Sequence, residues 1–152
     1  MSGPYRIPNI HIEVSLQVTN KTPSGTYRGP GRFEGDFIRE RLFDLAADDL
    51  NIDRIEFRRR NLVLKDEMPF ALASIEPFNR SEELDSGDNL ETLDRCLDQF
   101  NWHERSKRQG RQEDGLYWGV GAGCFVEAGA SGPRGICRIE VMPTGAIHVF
   151  VG

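Results

Sequence analysis

An α+β fold is what the sequence predicts, and three observations carry that expectation. Apolar residues alternate with polar ones near the start, recur at three- and four-residue steps through the middle, and alternate again at the end. Period two marks a strand with one buried face, and a period near 3.6 marks a helix. A chain of 152 residues can bury roughly two-thirds of its unfolded surface without help from disulfides.

The first element is a strand over residues 9–19, where Ile10, Ile12, Val14, Leu16 and Val18 alternate with polar residues. Turn formers from Asn20 to Gly25 close it. From Glu34 to Leu50 the residues Phe37, Ile38, Leu42, Leu45, Ala46 and Leu50 predict an amphipathic helix with one core-facing stripe. Asp53 and Glu56 stand at capping-box spacing and open a short helix through Arg60. Its closing Arg58, Arg59 and Arg60 complement the helix dipole, with anion binding as the competing role.

Residues 65–88, with Pro69, Pro77 and Gly87, are aperiodic and predict a connection with one strand-like piece. Asp88 and Glu91 form a second capping box before a helix with Leu90, Leu93, Leu97 and Phe100 on one side. Residues 106–114 are polar, a loop or a fraying helix end. Residues 116–126 are apolar with Gly119, Gly121 and Gly123, which predicts a strand thinned so that another backbone can lie on it. Cys137, Ile139 and Val141, then Pro143-Thr144-Gly145, then Ile147, Val149 and Val151 predict a β-hairpin. An end at Gly152, directly after a strand, leads to the expectation of a piece of a longer chain.

Charge narrows the function classes. The formal net charge is −5, and the acidic excess lies in residues 71–114, where six Lys and Arg face eleven Asp and Glu. That stretch reads as a solvated connector between two neutral ends. Beyond Arg58–Arg60 there is no basic stripe, which argues against nucleic acid as a partner. No window approaches ~18 apolar residues, so no membrane-spanning helix is expected. The opening residues lack the layout of a secretory signal. Cys96, Cys124 and Cys137 are an odd set without CxxC spacing, which points to a reducing, cytoplasmic compartment. His11, His103 and His148 have no metal-ligand spacing, and no nucleophile–base pair emerges.

The stretch most informative for chemistry is Tyr27-Arg28-Gly29-Pro30-Gly31-Arg32. It lies between a predicted strand and a helix start, where free N–H groups and the dipole favour an anion. Gly29 and Gly31 permit close approach to the main chain, and Arg28 and Arg32 add forked cationic donors. The competing account is a tight turn whose arginines pair with Asp or Glu. Neither this stretch nor Gly119–Gly123 fits a P-loop or the GxGxxG fingerprint. Glu127, after the glycines, either lines a cavity or is a solvated strand-end carboxylate. Cys124 and Cys137 are expected as buried free thiols.

The runs PSGTYRGPGRFE (23–34), IDRIEFRRRNL (52–62), DSGD (85–88) and GVGAGCFVE (119–127), with the closing hairpin, resemble the molybdenum-binding large subunit of the xanthine dehydrogenase/aldehyde oxidase family. The resemblance runs through nearly the whole chain in order. It implies the end of one molybdopterin-binding domain (residues 1–65), an acidic connector with one helix (66–114) and the first strands of a second such domain (115–152).

For the bend, the resemblance implies that Arg28, Gly29 and Gly31 border the molybdenum–molybdopterin cofactor and that Tyr27 and Pro30 face the substrate. Pro30 stands where purine-oxidising relatives carry an aromatic ring. Gly29 stands where copper-containing carbon monoxide dehydrogenases carry a cysteine, so copper chemistry is not implied.

The family reaction is hydroxylation of an aldehyde or N-heterocycle carbon with water as oxygen source. Iron–sulfur clusters and FAD on partner subunits or domains remove the electrons in a hetero-oligomer. The family's catalytic glutamate has no counterpart here, so no residue is assigned as catalytic base or metal ligand and the chain alone is expected to be inactive. The contrasting expectation is a noncatalytic remnant that only offers surfaces to an oligomeric complex.

Overall fold

A computed structural model describes residues 2–25, 27–73, 83–127 and 135–151. It shows a mixture of helices and small antiparallel sheets. Helix α1 (Arg32–Asp49) and helix α2 (Arg54–Asn61) are joined by a turn in which Ile52 N–H donates to the Ala47 carbonyl at 2.9 Å. The Asp53 carboxylate caps α2 by accepting from the Ile55 and Glu56 amides, both at 2.9 Å. The capping is one-sided, because Glu56 turns forward to Arg60 at 2.7 Å.

The chain leaving α2 returns to the N-terminal residues. Arg6 N–H donates to the Asn61 carbonyl and Val63 N–H to the Pro4 carbonyl, each at 2.9 Å. This short pairing buries Tyr5, Leu62 and Val63 completely. A 3-10 turn at Lys65–Glu67 follows, then β1 (Phe70–Ala71) paired with β2 (Glu83–Leu84).

Helix α3 (Asn89–Phe100) is capped by Asp88, which accepts from Glu91 N–H at 3.0 Å. Its Leu93 and Leu97 reach the core, where they meet Tyr5, Ile55 and Leu62. Asn101, at φ 55°, ends α3 and starts the single turn α4 (Trp102–Ser106). Then come the hairpins β3 (Gln112–Glu113) with β4 (Leu116–Tyr117), and β5 (Cys137–Val141) with β6 (Ile147–Val151).

The closing hairpin forms as predicted, and its register sets Cys137, Ile139 and Val141 opposite Val151, Val149 and Ile147. Two expected elements take another form. Residues 9–19 join no ladder among the described residues, and Leu16 and Val18 are 95% and 102% exposed. Alternation states which face a strand would bury, but a ladder needs a neighbouring edge. In the glycine-rich stretch pairing is confined to Leu116–Tyr117 and the adjoining Trp118 among the described residues, and the neighbour is drawn from the polar residues expected as a loop. Pro77 and Thr26 lie outside the described residues.

The third difference has a physical cause at the centre of the molecule. The stripe expected to face the core from α1 faces outward, with Phe37 74% exposed and Ile38, Leu42, Leu45 and Leu50 exposed as well. The inner face carries Glu40 and Ala47, with Phe43 half-buried. Arg58, expected to complement the helix dipole, is 1% exposed. Its Nε donates to Glu40 Oε2 at 2.8 Å, Nη1 to Asp44 Oδ1 at 2.9 Å, and Nη2 to the Glu40 carbonyl at 3.1 Å. Tyr5 Oη donates to the same Glu40 oxygen at 3.0 Å. Among the described residues no buried side-chain nitrogen or oxygen lacks a hydrogen-bond partner, the condition under which a buried ion pair is tolerated.

Removing Arg58 takes away the buried partner that Glu40 and Asp44 share, leaving Glu40 with Arg39 and Tyr5 and Asp44 with the more exposed Arg54. Arg58→Ala should cost about 3–5 kcal/mol of unfolding free energy. The double replacement Arg58→Met/Glu40→Leu should cost less than Arg58→Ala alone. Urea denaturation followed by helical circular dichroism checks both, and a double variant worse than the single would refute the account.

Candidate cofactor-binding site

The bend at residues 27–32 enters α1 through two left-handed glycines, Gly29 at φ 64° and Gly31 at φ 74°. Arg32 N–H donates to the Gly29 carbonyl at 2.8 Å, and Gly35 N–H to the Gly31 carbonyl at 3.1 Å. Gly31 caps the helix with no side-chain hydrogen bond, and a Cβ built on it would meet nothing within 4 Å. Tyr27, Arg28 and Pro30 are exposed. The helix therefore presents its first-turn backbone outward, beside a cationic side chain, with the exposed Glu34 the acidic residue of that turn.

The two arginines differ. Among the described residues Arg28 forms no ion pair, while Arg32 Nε lies 3.5 Å from Glu127 Oε1. Both accounts of the bend are thus realised, an open cation at Arg28 and a paired one at Arg32. Glu127 is the half-exposed, solvated carboxylate of the two readings, and it faces the bend through Arg32.

Behind the bend, α1 carries a chain of charges. Arg39 pairs with Asp36 and, at 3.2 Å, with Glu40, and it donates to the Cys124 carbonyl at 2.8 Å. Burial pushes the Asp36 carboxyl above the ordinary aspartate range, against the lowering pull of Arg39. Burial also pushes the Tyr5 hydroxyl far above its usual range, with Cys124 and Glu40 adding to the effect, and raises the Cys124 thiol. Cys124 is half-buried, whereas Cys137, expected to be buried, is exposed like Cys96.

Of the three glycines expected to admit a backbone, Gly119 and Gly121 face open space. Gly123 admits a side chain instead, since a Cβ there would stand 3.2 Å from Glu40 Cγ. Sequence reasoning missed the Arg58–Glu40–Asp44–Tyr5 cluster, because charge pairing between distant elements leaves no periodic trace.

The residues of the bend fit an anionic group with phosphate-like oxygens. Two positive-φ glycines expose the main chain, a helix start supplies partial positive charge, and Arg28 is available as a forked donor. Among the described residues no group of three or more His, Cys, Asp or Glu is arranged to hold a metal ion. A cleft of about 290 Å³ lined by Asp44, Asp53, Arg54, Arg58 and Trp102 lies elsewhere, and its carboxylates are committed to Arg54, Arg58 and the α2 cap.

Comparison with known proteins gives the chain a family. Residues 1–62 match the molybdopterin cofactor-binding domain. The chain is 37% identical over 153 residues to the 6-hydroxypseudooxynicotine dehydrogenase complex subunit gamma of Paenarthrobacter nicotinovorans, covering 99% of this chain and 19% of that protein. It is 33% identical over 168 residues to the carbon monoxide dehydrogenase large chain of Hydrogenophaga pseudoflava, covering 99% and 20%. It is 30% identical over 139 residues to the xanthine dehydrogenase molybdenum-binding subunit of Escherichia coli O157:H7, covering 88% and 17%. The chain belongs to the molybdopterin-binding xanthine dehydrogenase family. It spans about a fifth of the length of these relatives. No helix among the described residues is long and apolar enough to cross a membrane.

Two outcomes follow from the titrating groups. Iodoacetamide at mildly alkaline pH should modify Cys96 and Cys137 well before Cys124, whose thiolate is suppressed by burial; peptide mapping by mass spectrometry reads the order. A carboxyl whose folded-state pKa is raised contributes stability below its unfolded value of 3.8 and loses it as pH rises through the folded value. Asp36→Asn should therefore flatten the fall in stability just above pH 3.8, measured by denaturation across that range. An unchanged slope would assign the fall to other groups.

Proposed function

We propose that this chain is part of a molybdenum hydroxylase large subunit and that its Tyr27–Arg32 bend borders the cofactor. The observation that carries this is the outward-facing, glycine-lined start of α1 with Arg28 beside it, in a chain whose first 62 residues match a molybdopterin-binding domain. Residues 1–65 complete one cofactor-binding domain, 66–114 connect, and 115–152 begin a second. The reaction is oxidation of an aldehyde or N-heterocycle carbon with water as oxygen source.

The bound cofactor supplies the two-electron chemistry. What this chain supplies is binding and orientation. Arg28 donates from its guanidinium to anionic oxygens, Gly29 and Gly31 let the main chain approach, and Tyr27 and Pro30 shape the substrate side. Iron–sulfur and FAD subunits take the electrons in a hetero-oligomer; one relative's name is itself that of a complex subunit. With no catalytic base assigned to its residues, the isolated chain does not turn over.

Arg28→Ala in the complete subunit, produced with its partners, should lower molybdenum content about tenfold or more, the scale of a lost charge-assisted donor pair. The thermal midpoint should hold, since Arg28 is exposed, and Arg28→Lys should give an intermediate content. Full molybdenum content and rate in Arg28→Ala would overturn the assignment. Stoichiometric molybdenum in the purified 152-residue chain would overturn its dependence on the rest of the subunit.

A further inference from the structure

Residues 122–127 touch α1 at successive points that run back toward the bend. Ala122 and Cys124 pack on the core around Tyr5. Gly123 lies against Glu40, with 3.2 Å between its built Cβ and Glu40 Cγ. The Cys124 carbonyl accepts from Arg39 at 2.8 Å. Glu127 meets Arg32, and its Oε2 stands 3.7 Å from the Cβ position of Gly29. The lengths agree: from Glu40 back to Arg32 is about 12 Å of helix, and from Gly123 to Glu127 about 13 Å of extended chain. The segment is a strap laid along α1, seated closely against Glu40 at Gly123 and carrying a carboxylate to the bend at the other end.

We infer that Glu127 is a positioning residue that holds Arg32 at the bend, dividing the work of the two arginines. Arg32 is kept as the structural cation that fixes the Gly29–Arg32 turn, and Arg28 is left as the cation for the ligand. The carboxylate also sets the local charge, since it cancels one of the two guanidinium charges beside the helix start. Without Glu127 both arginines would compete for the same anionic group, and the turn would lose its outside tether. The role toward the cofactor rests on the function proposed above, whereas the tether is a property of this chain by itself.

The test uses amide hydrogen exchange in the 152-residue chain, read at Arg32 and Gly35, whose N–H groups close the bend. Glu127→Gln should speed exchange there about twofold to fivefold, the scale of a half-exposed ion pair, and leave α3 unchanged. The charge-swapped pair Arg32→Glu/Glu127→Arg should restore protection, which loss of packing alone would not. Unchanged exchange in Glu127→Gln, or no rescue by the swap, overturns the tether. In the complete subunit Glu127→Gln should lower molybdenum content with partial rescue by the swap, and unchanged content overturns the role toward the cofactor. The two failures are separable: altered exchange with full molybdenum in both Glu127→Gln and Arg28→Ala keeps the tether and removes the cofactor assignment.

Discussion

The architecture depends on one buried guanidinium. Arg58 reaches from α2 into α1 and meets Glu40, Asp44 and the α1 backbone. The rotation of α1 keeps Glu40 and Asp44 on the side of the buried Arg58, whose charge they compensate, and leaves the apolar stripe on the exposed face. Tyr5 completes the cluster through its hydroxyl and is itself held by the pairing of residues 4–6 with the chain leaving α2.

That rotation has consequences for the site. With Glu40 and Arg39 held inward, the first turn of α1 is aimed by its inner face, and the bend before it is displayed to solvent. The Arg39 bond to the Cys124 carbonyl and the close seat of Gly123 bring residues from far along the chain to the same helix. A bend of two glycines and two arginines thereby becomes asymmetric, with Arg32 engaged by Glu127 and Arg28 in no ion pair among the described residues.

The outward stripe on α1, the alternating residues 9–19 and the apolar face of the β5–β6 hairpin belong to one pattern. Each is a surface for which the described residues provide no cover. In a chain spanning about a fifth of its relatives' length, the periodicity of such segments states what each face is made to bury. The small core around Tyr5, Ile55, Leu62, Leu93 and Leu97 is what these residues assemble among themselves.

The sequence by itself determined the local features. Helix starts at Asp53 and Asp88, the helical period of α1 and α3, the turn at residues 143–145 and the glycine–arginine bend all follow from chemistry within a few residues, where capping and dihedral preferences act. The motif runs carried the family for the same reason, being contiguous. Tertiary structure decided which face of α1 is inside, whether an alternating segment finds a ladder, and which arginine of the bend is taken. Those outcomes depend on charges and edges distant in sequence, and Arg58 with Glu40, like Arg32 with Glu127, become neighbours only once the helices are in place.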